Sequence, residues 1–304
     1  MIFDTHAHYD DRAFDEDRDE VISTLEENGV GRIVNVTSTY GSLDVSMGLA
    51  ERYEQVYSSA GLHPTEIYDL DSEIADQAGD ISGETGKPGE AEKPGETGKP
   101  GETGKPKEAG KPEGLELINP GALHKVEEMC SHPKVVAIGE IGLDYHYDDT
   151  DEALQKAYFD AQLEMSLRLD MPVIIHSRDA AADTLEFMRS HAKKGGRGVI
   201  HCFSYSYEMA AEYVKMGYFI GIGGVVTFKN ARKVKEIATK IPLEYIVLET
   251  DCPYLAPIPH RGERNCSIYL DQVAKEIATL RGITAKEVRD TTWNNGCRLY
   301  GMKN

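Results

Sequence analysis

The chain has 304 residues, in which 52 aspartates and glutamates outnumber 33 lysines and arginines and give a formal net charge of −19. This acidity argues against broad electrostatic capture of nucleic acid or anionic membranes, although it leaves room for a local phosphate site. The sequence contains no apolar stretch long enough to cross a bilayer. The length fits one large α/β-barrel domain, and we expect residues 1–304 to form a single unit.

Cysteine usage and the first residues both indicate a cytoplasmic protein. The five cysteines are scattered, without a CxxC pair, which favours free thiols in a reducing compartment over a disulfide framework or a thiolate zinc site. The chain begins MIFDTHAH, without a basic segment that leads into an apolar run, and we therefore expect no secretory signal.

Short β-branched runs alternate with amphipathic helical stretches along the chain. The predicted strands are residues 2–8, 32–36, 56–62, 135–141, 173–176, 198–201, 219–226 and 245–250. Thr284 and Glu287 have capping-box spacing and predict the start of the last helix. Repeated βα units predict a (β/α)8 TIM barrel. A doubly wound sheet is the alternative, but no GxGxxG motif follows the first strand.

A low-complexity insertion follows the third predicted strand. Five six-residue units such as GETGKP run from Gly83 to Pro112 and carry no large apolar side chain, so they cannot offset the entropy of ordering. We expect residues 83–114 to form a flexible, partly polyproline-II arm. The alternative is an element that contacts a protein partner.

Imidazoles and carboxylates end the predicted strands. His6 and His8 are two residues apart, so both side chains lie on one face of the first strand. The carboxyl ends of the strands form the active-site face of an α/β barrel. We predict a metal site there, with these ligands: His6, His8, Glu140, His176, His201 and Asp251. Six ligands exceed the three or four protein groups of one zinc, which indicates at least two metal positions. The alternative is that these polar residues only satisfy loop backbone groups.

Several motifs carry a family resemblance. They are THAH, GLHP, GEIGLDY, VIIHSRDA, HCFS, ETDCPYL and RGERN, in this order. Their order and spacing resemble those of the TatD family of metal-dependent hydrolases. The resemblance implies an amidohydrolase-like barrel whose six predicted ligands hold two or three divalent cations. It also implies a deoxyribonuclease, often a 3′ to 5′ exonuclease on single strands, although some members hydrolyse other phosphodiesters or the ester of D-aminoacyl-tRNA.

The predicted ligands suggest a division of roles. We expect His6, His8 and Asp251 to hold one cation, the two histidines of strands five and six to hold another, and Glu140 to bridge them. Mg, Mn and Zn all suit such ligands. Bound cations generate hydroxide near neutral pH, and Asp251 is expected to orient the water. His63, in GLHP, is expected either to contact substrate or to form a structural turn.

Three arginines in the matching motifs are candidates for phosphate binding: Arg178, Arg261 and Arg264. Guanidinium groups suit phosphate oxygens, although each could instead pair with one of the many acids. With so few cationic side chains, we expect DNA to enter as a single-stranded end and binding to depend weakly on salt. The rivals are ester or amide hydrolysis at the same site, as in a D-aminoacyl-tRNA deacylase, and a non-catalytic binding protein.

Overall fold

The computed structural model describes residues 1–68, 70 and 118–304. Within them, eight parallel strands lie side by side in chain order. The strands are β1 (Ile2–Ala7), β2 (Val30–Asn35), β3 (Val56–Ala60), β4 (Val135–Asp144), β5 (Val173–Arg178), β6 (Gly198–Ile200), β7 (Phe219–Ile222) and β8 (Ile246–Leu248). This order confirms the predicted (β/α)8 TIM barrel, because a doubly wound sheet would reverse direction at a switch point.

Hydrogen bonds join the first and last strands. The Asp251 N–H donates to the His6 carbonyl over 2.9 Å, and the His8 N–H donates to the Cys252 carbonyl over 2.9 Å. The Thr5 hydroxyl donates to the carbonyl of the last β8 residue over 3.0 Å. This seam holds the residues that follow β8 directly beside the end of β1.

The helices alternate with the strands. They are α1 (Arg18–Thr24), α2 (Ser42–Arg52), α3 (Pro120–Met129), α4 (Glu152–Leu169), α5 (Ala181–Lys193), α6 (Tyr207–Lys215), α7 (Arg232–Lys240), α8 (Leu270–Arg281) and α9 (Ala285–Leu299). The predicted capping box is confirmed at α9, where the Thr284 side chain accepts from the Glu287 N–H and the Glu287 carboxylate accepts from the Thr284 N–H. Within the described residues, no helix is long and apolar enough to cross a membrane.

Buried side chains from seven strands fill the barrel below the strand ends. They belong to one cluster that contains Phe3, Val34, Ala137, Ile174, Val199, Phe219 and Val247. Cys297 and Tyr300 of the C-terminal segment join this cluster. The barrel interior is therefore a packed core rather than a pore, and the polar residues at the carboxyl ends of the strands form a separate layer.

Most strand ends lie within two residues of the predicted position, but two strands end three or four residues away from it. β4 continues to Asp144 instead of ending at Ile141, so Asp144 becomes part of the strand. β7 ends at Ile222 instead of Val226, and a short 3-10 helix (Gly224–Thr227) follows. A Cβ atom on Gly224 would lie only 2.1 Å from the Leu255 carbonyl oxygen. The chain turns here because the loop after β8 packs directly against it.

The insertion interrupts the sequence between β3 and α3. Its predicted arm, residues 83–114, lies outside the described residues.

Candidate metal centre

The six predicted ligands converge at the carboxyl ends of five strands. His6 lies in β1, Glu140 in β4 and His176 in β5, whereas His8 and His201 directly follow β1 and β6, and Asp251 lies three residues after the end of β8. All except His6 line a cavity of about 970 Å³, and His6 is buried beside them. The structure thus brings together side chains that are scattered over most of the sequence.

One group of potential ligands lies where the first and last strands of the barrel meet. The His6 Nε2 lies 3.0 Å from the His8 Nε2, and the Asp251 Oδ1 lies 3.4 Å from His8 and 3.7 Å from His6. A tetrahedral zinc with bonds of about 2.0–2.2 Å separates its ligand atoms by roughly 3.3–3.6 Å. The observed spacings of 3.0–3.7 Å bracket this range, and the three residues form a group that could hold one metal ion.

Glu140 directs its two carboxylate oxygens towards different histidines. Its Oε2 lies 3.3 Å from the His6 Nε2. Its Oε1 lies 3.0 Å from the His176 Nδ1 and 3.1 Å from the His201 Nε2. Such a carboxylate can contact two cations at once, so the geometry fits a bridging ligand.

The backbone around Glu140 is anchored by polar groups of the neighbouring strands. The Glu140 N–H donates to the Thr37 carbonyl over 2.9 Å. The Gly139 carbonyl accepts from the Ser59 hydroxyl over 2.5 Å and from the Thr37 hydroxyl over 3.2 Å. A Cβ atom on Gly139 would lie 2.6 Å from the Ile174 Cβ, and the close strand approach therefore needs glycine at this position.

Second partners of two histidines select the nitrogen that faces the cavity. The His8 Nδ1–H donates to the Val36 carbonyl over 2.8 Å, so Nε2 is the nitrogen that faces His6 and Asp251. His176 has the opposite arrangement, because its Nε2 lies 3.0 Å from the Asp144 carboxylate and its Nδ1 faces the Glu140 Oε1 over 3.0 Å. Outer partners of this kind fix the ring orientation and the tautomer of metal-binding histidines.

Sequence reasoning missed two carboxylates of this outer layer. Asp144 lies four residues after Glu140 on the same strand, a spacing that places both side chains on one face, but the strand was predicted to end earlier. Glu249 is buried, and its Oε1 lies 3.5 Å from the His201 Nδ1 and accepts from the Cys202 N–H over 2.5 Å. Its position two residues before Asp251 would have indicated it.

The electrostatics of the cluster favour ionised carboxylates. Burial alone would raise the pKa of Glu140, but His201, His6 and a hydrogen bond from His176 hold its pKa well below the ordinary value. Burial opposes protonation of His201, whereas Glu140 and Glu249 favour it and raise its pKa well above the ordinary value. The cavity therefore stabilises additional positive charge, which is what a divalent cation supplies.

His63 both forms a turn and faces the cluster. The Glu66 N–H donates to its carbonyl over 3.0 Å, and the Thr65 N–H donates to its Nδ1 over 3.2 Å. The Thr65 hydroxyl also lies 2.8 Å from Nδ1, so Nδ1 contacts Thr65, and the other ring nitrogen, Nε2, lies 3.8 Å from the Glu140 Oε1. Burial, and next the neighbouring His176, lower the pKa of His63 to about 3. His63, Glu140 and His176 form a third group with metal-ligand spacing.

The three predicted arginines occupy different environments. Arg178 lines the central cavity, together with Arg12, which sequence reasoning missed. The Arg264 guanidinium instead binds the Asp17 carboxylate over 2.6 and 2.7 Å. Arg261 lies outside the residues that line the central cavity, and its guanidinium stacks at 4.0 Å on the Phe228 ring.

Comparison with known proteins gives a consistent set of relatives. The profile of the family described as "TatD related DNase" matches residues 3–301. The uncharacterized metal-dependent hydrolase YabD of Bacillus subtilis is 34% identical over 99% of each chain. YcfH of Escherichia coli, with the same description, is 37% identical over 62% of this chain and 72% of its own.

Solved structures share the fold. The crystal structure of YjjV, a TatD homologue of Escherichia coli, matches with a TM-score of 0.76 at 28% identity and covers 99% of this chain and 98% of that one. An uncharacterized amidohydrolase of Saccharomyces cerevisiae has the same fold at 17% identity, with a TM-score of 0.72 and coverage of 98% and 99%. The predicted TIM barrel is thereby confirmed, and it is like that of a TatD homologue.

Proposed function

Since the chain belongs to the TatD family of metal-dependent hydrolases, we propose that it hydrolyses phosphodiester bonds as a deoxyribonuclease that trims single-stranded DNA from the 3′ end. The observation that carries this proposal is the Glu140 carboxylate, whose Oε2 lies 3.3 Å from His6 and whose Oε1 lies 3.0–3.1 Å from His176 and His201. Two adjacent cations are the usual device for stabilising both the attacking and the leaving oxygen of a phosphodiester.

The proposal assigns the ligands to two positions. His6, His8 and Asp251 would hold one cation with the Oε2 of Glu140. His176 and His201 would hold the second with the Oε1 of Glu140. Mg, Mn and Zn all accept nitrogen and carboxylate ligands of this kind. When bound, such cations supply Lewis-acid charge and lower the pKa of water towards neutrality.

Asp251 is proposed to accept a proton and orient the attacking water. Its side chain keeps 21% exposure, in contrast to the buried Glu140 at 4%, so one oxygen is accessible from the cavity. Burial alone would raise the pKa of Asp251, but a hydrogen bond from His8 and the positive neighbour His201 hold this pKa below its ordinary value. An ionised carboxylate can accept a hydrogen bond from water and align it.

His63 is proposed to donate a hydrogen bond to the reacting phosphate. Its Nδ1 lies 2.8 Å from the Thr65 hydroxyl and 3.2 Å from the Thr65 nitrogen, so Nε2 is the nitrogen that faces the cavity and would donate when it carries the proton. A neutral donor stabilises charge on phosphate oxygens as they are displaced. This arrangement supports a substrate contact more than a purely structural turn.

The charges around the cavity support a strand end as the substrate. Two basic side chains, Arg12 and Arg178, are among the described residues that line the central cavity. Neither forms an ion pair with a carboxylate of the described chain within 4.0 Å. Two guanidinium groups without a carboxylate partner suffice for the phosphates that flank one scissile bond, but not for a long duplex. We therefore expect a shallow dependence of binding on salt.

The cysteines and the insertion bear on where the protein acts and what it binds. All five cysteines are free, which supports a reducing cytoplasm. Residues 83–114 follow His63 and β3 in the sequence, and we propose that they contact a protein partner. Deletion of residues 83–114 should leave hydrolysis of short DNA unchanged, and loss of that activity would contradict an accessory role.

The test compares two substrate classes on one protein preparation. Metal-stripped protein is reloaded separately with Mg, Mn or Zn and incubated with 5′-labelled single-stranded DNA or with a D-aminoacyl-tRNA. Glu140→Gln is the test variant, and Glu51→Gln, at an exposed carboxylate, is its control. We expect metal-dependent shortening from the 3′ end that only Glu140→Gln abolishes. Intact DNA beside a deacylated tRNA would assign the site to ester hydrolysis instead.

A further inference from the structure

Exposed apolar side chains gather beside the candidate metal centre. The loop that follows Asp251 exposes Tyr254 by 57%, Leu255 by 38% and Ile258 by 39%. Tyr254 lines the central cavity, as does the exposed Tyr147. Large apolar groups that remain in water at the rim of a polar cavity indicate a surface that binds something.

Next to this loop lies a second cavity of about 560 Å³, which we call the rim groove. Its walls include Val225, Phe228 and Lys229 after β7, and Ile258 and Arg261 after β8. Its volume is within the roughly 300–1,000 Å³ of small-molecule pockets. Because both walls follow the carboxyl ends of their strands, the rim groove opens at the same end of the barrel as the metal centre.

The rim groove combines a flat apolar surface with positive charge. The Arg261 guanidinium lies 4.0 Å from the centre of the Phe228 ring, a distance typical of a stacked cation–π pair. Arg261 and Lys229 form no ion pair with a carboxylate within 4.0 Å in the part of the chain that the structure describes. In a chain of net charge −19, two basic side chains without a carboxylate partner beside an aromatic ring favour an anionic ligand with a planar apolar part.

The two walls are fixed to each other. The Ile258 N–H donates to the Thr227 hydroxyl over 2.9 Å. The Leu255 carbonyl approaches Gly224 so closely that a Cβ atom there would lie 2.1 Å from the oxygen. The rim groove is thus pre-organised, which lowers the entropic cost of binding.

From these observations we propose that the rim groove holds the base of a nucleotide that flanks the scissile phosphodiester of a single-stranded nucleic acid. The base stacks on the Phe228–Arg261 pair and against Ile258, and Lys229 lies near the adjoining phosphate. Stacking on aromatic and guanidinium surfaces is how proteins bind single strands without reading sequence. This inference rests on the proposed function, because it assigns a subsite to the same substrate.

The experiment combines removal of a rim-groove side chain with removal of a base from the substrate. We would measure kcat/KM for a short single-stranded oligonucleotide and for two matched oligonucleotides with an abasic site at the last or the penultimate position. The proteins are wild type, Phe228→Ala, Phe228→Tyr and Arg261→Ala. The control is Arg298→Ala, since the Arg298 guanidinium stacks at 4.9 Å on Phe219 at the amino-terminal end of β7, far along the barrel from the rim groove.

We expect wild type to lose about tenfold on one abasic oligonucleotide. Phe228→Ala and Arg261→Ala should lose a similar factor on the complete oligonucleotide and nothing further on the abasic one, whereas Phe228→Tyr and Arg298→Ala should match wild type. Anisotropy of a dye-labelled oligonucleotide on metal-free protein should show the same pattern of affinities, independently of turnover.

Two failures are distinguishable. If wild type cuts the oligonucleotides but the abasic penalty persists undiminished in Phe228→Ala and Arg261→Ala, the rim groove does not hold the base and the inference is overturned. If wild type neither binds nor cuts any oligonucleotide, the proposed function fails, and the subsite fails with it.

Discussion

The Asp144 Oδ2 lies 3.0 Å from the His176 Nε2, on the side of the ring opposite the Glu140 carboxylate. The Gln155 side chain in turn holds the Asp144 backbone, accepting from its N–H over 2.8 Å and donating to its carbonyl over 2.9 Å. The chain of contacts fixes which imidazole nitrogen faces the candidate metal centre. Asp144 is therefore a positioning residue that acts through His176.

Asp144→Asn is expected to weaken metal binding. The amide can still contact the ring, but it no longer stabilises the Nε2–H tautomer, and loss of such an outer partner typically costs about 10–100-fold in metal affinity. Competition with a fluorescent chelator measures this affinity, with the exposed Asp149→Asn as the control. Equal affinity in all three proteins would contradict the positioning role.

Replacement of His63 distinguishes a role as hydrogen-bond donor to the substrate from a role as metal ligand. In His63→Ala, the hydrogen bond from Nε2–H to the phosphate is lost, and we expect kcat to fall by about 10²-fold or more. Metal content after dialysis should stay at the wild-type level, because the other potential ligands remain. A loss of one metal per chain would instead make His63 a ligand, in line with its spacing to Glu140 and His176.

The two arginines Arg178 and Arg264 should respond differently to truncation. Arg178 lines the cavity, so Arg178→Ala should raise KM for DNA about tenfold and leave the melting temperature unchanged. Arg264 binds Asp17 and stacks at 4.5 Å on Phe14, so Arg264→Ala should lower the melting temperature and leave KM unchanged. Steady-state kinetics and calorimetry on both variants test this assignment, which the reverse pattern would refute.

Acid should destabilise the protein through His191, far from the metal centre. Its Nδ1 accepts from the Tyr218 hydroxyl over 2.7 Å and its Nε2–H donates to the Ser166 hydroxyl over 2.8 Å. Burial lowers the pKa of His191 from 6.5 to about 4. Between these two values the unfolded chain binds more protons, so the free energy of unfolding falls as pH falls from about 6.5 to 4 and is fully retained above 6.5.

Denaturant unfolding at pH 7 and pH 5 measures this dependence. His191→Gln should lose less stability than wild type between the two conditions, because it lacks the buried ionisable ring. His124→Gln, at an exposed histidine, should behave as wild type. If His191→Gln and wild type lose equal stability, protonation of this ring does not contribute.

The sequence alone predicts much of the site because local periodicity and barrel topology determine it. His6 and His8 share a face through the two-residue repeat of a strand, and the barrel brings Glu140 and Asp251 to the same end. Contacts between distant segments were not predictable in this way. Asp17 and Arg264 are 247 residues apart, and nothing local indicates that this guanidinium is already paired.

Other features of the site could not be predicted because they depend on where individual strands end. β4 extends to Asp144, and so the outer carboxylate on His176 was not foreseen. The rim groove needs β7 to stop at Ile222, since only then does the 3-10 helix bring Phe228 against Arg261. Turn positions set by close packing, as at Gly224, carry no repeat that a sequence pattern would reveal.

The measurement that tests the central claim most directly is a metal titration of stripped protein, read out as cleavage of single-stranded DNA. If two cations share Glu140, activity should rise to a plateau at about two metal equivalents per chain. Glu140→Gln should be inactive and should bind fewer metal ions per chain. A plateau at one equivalent, or cleavage that persists in excess chelator, would contradict a bridged metal pair.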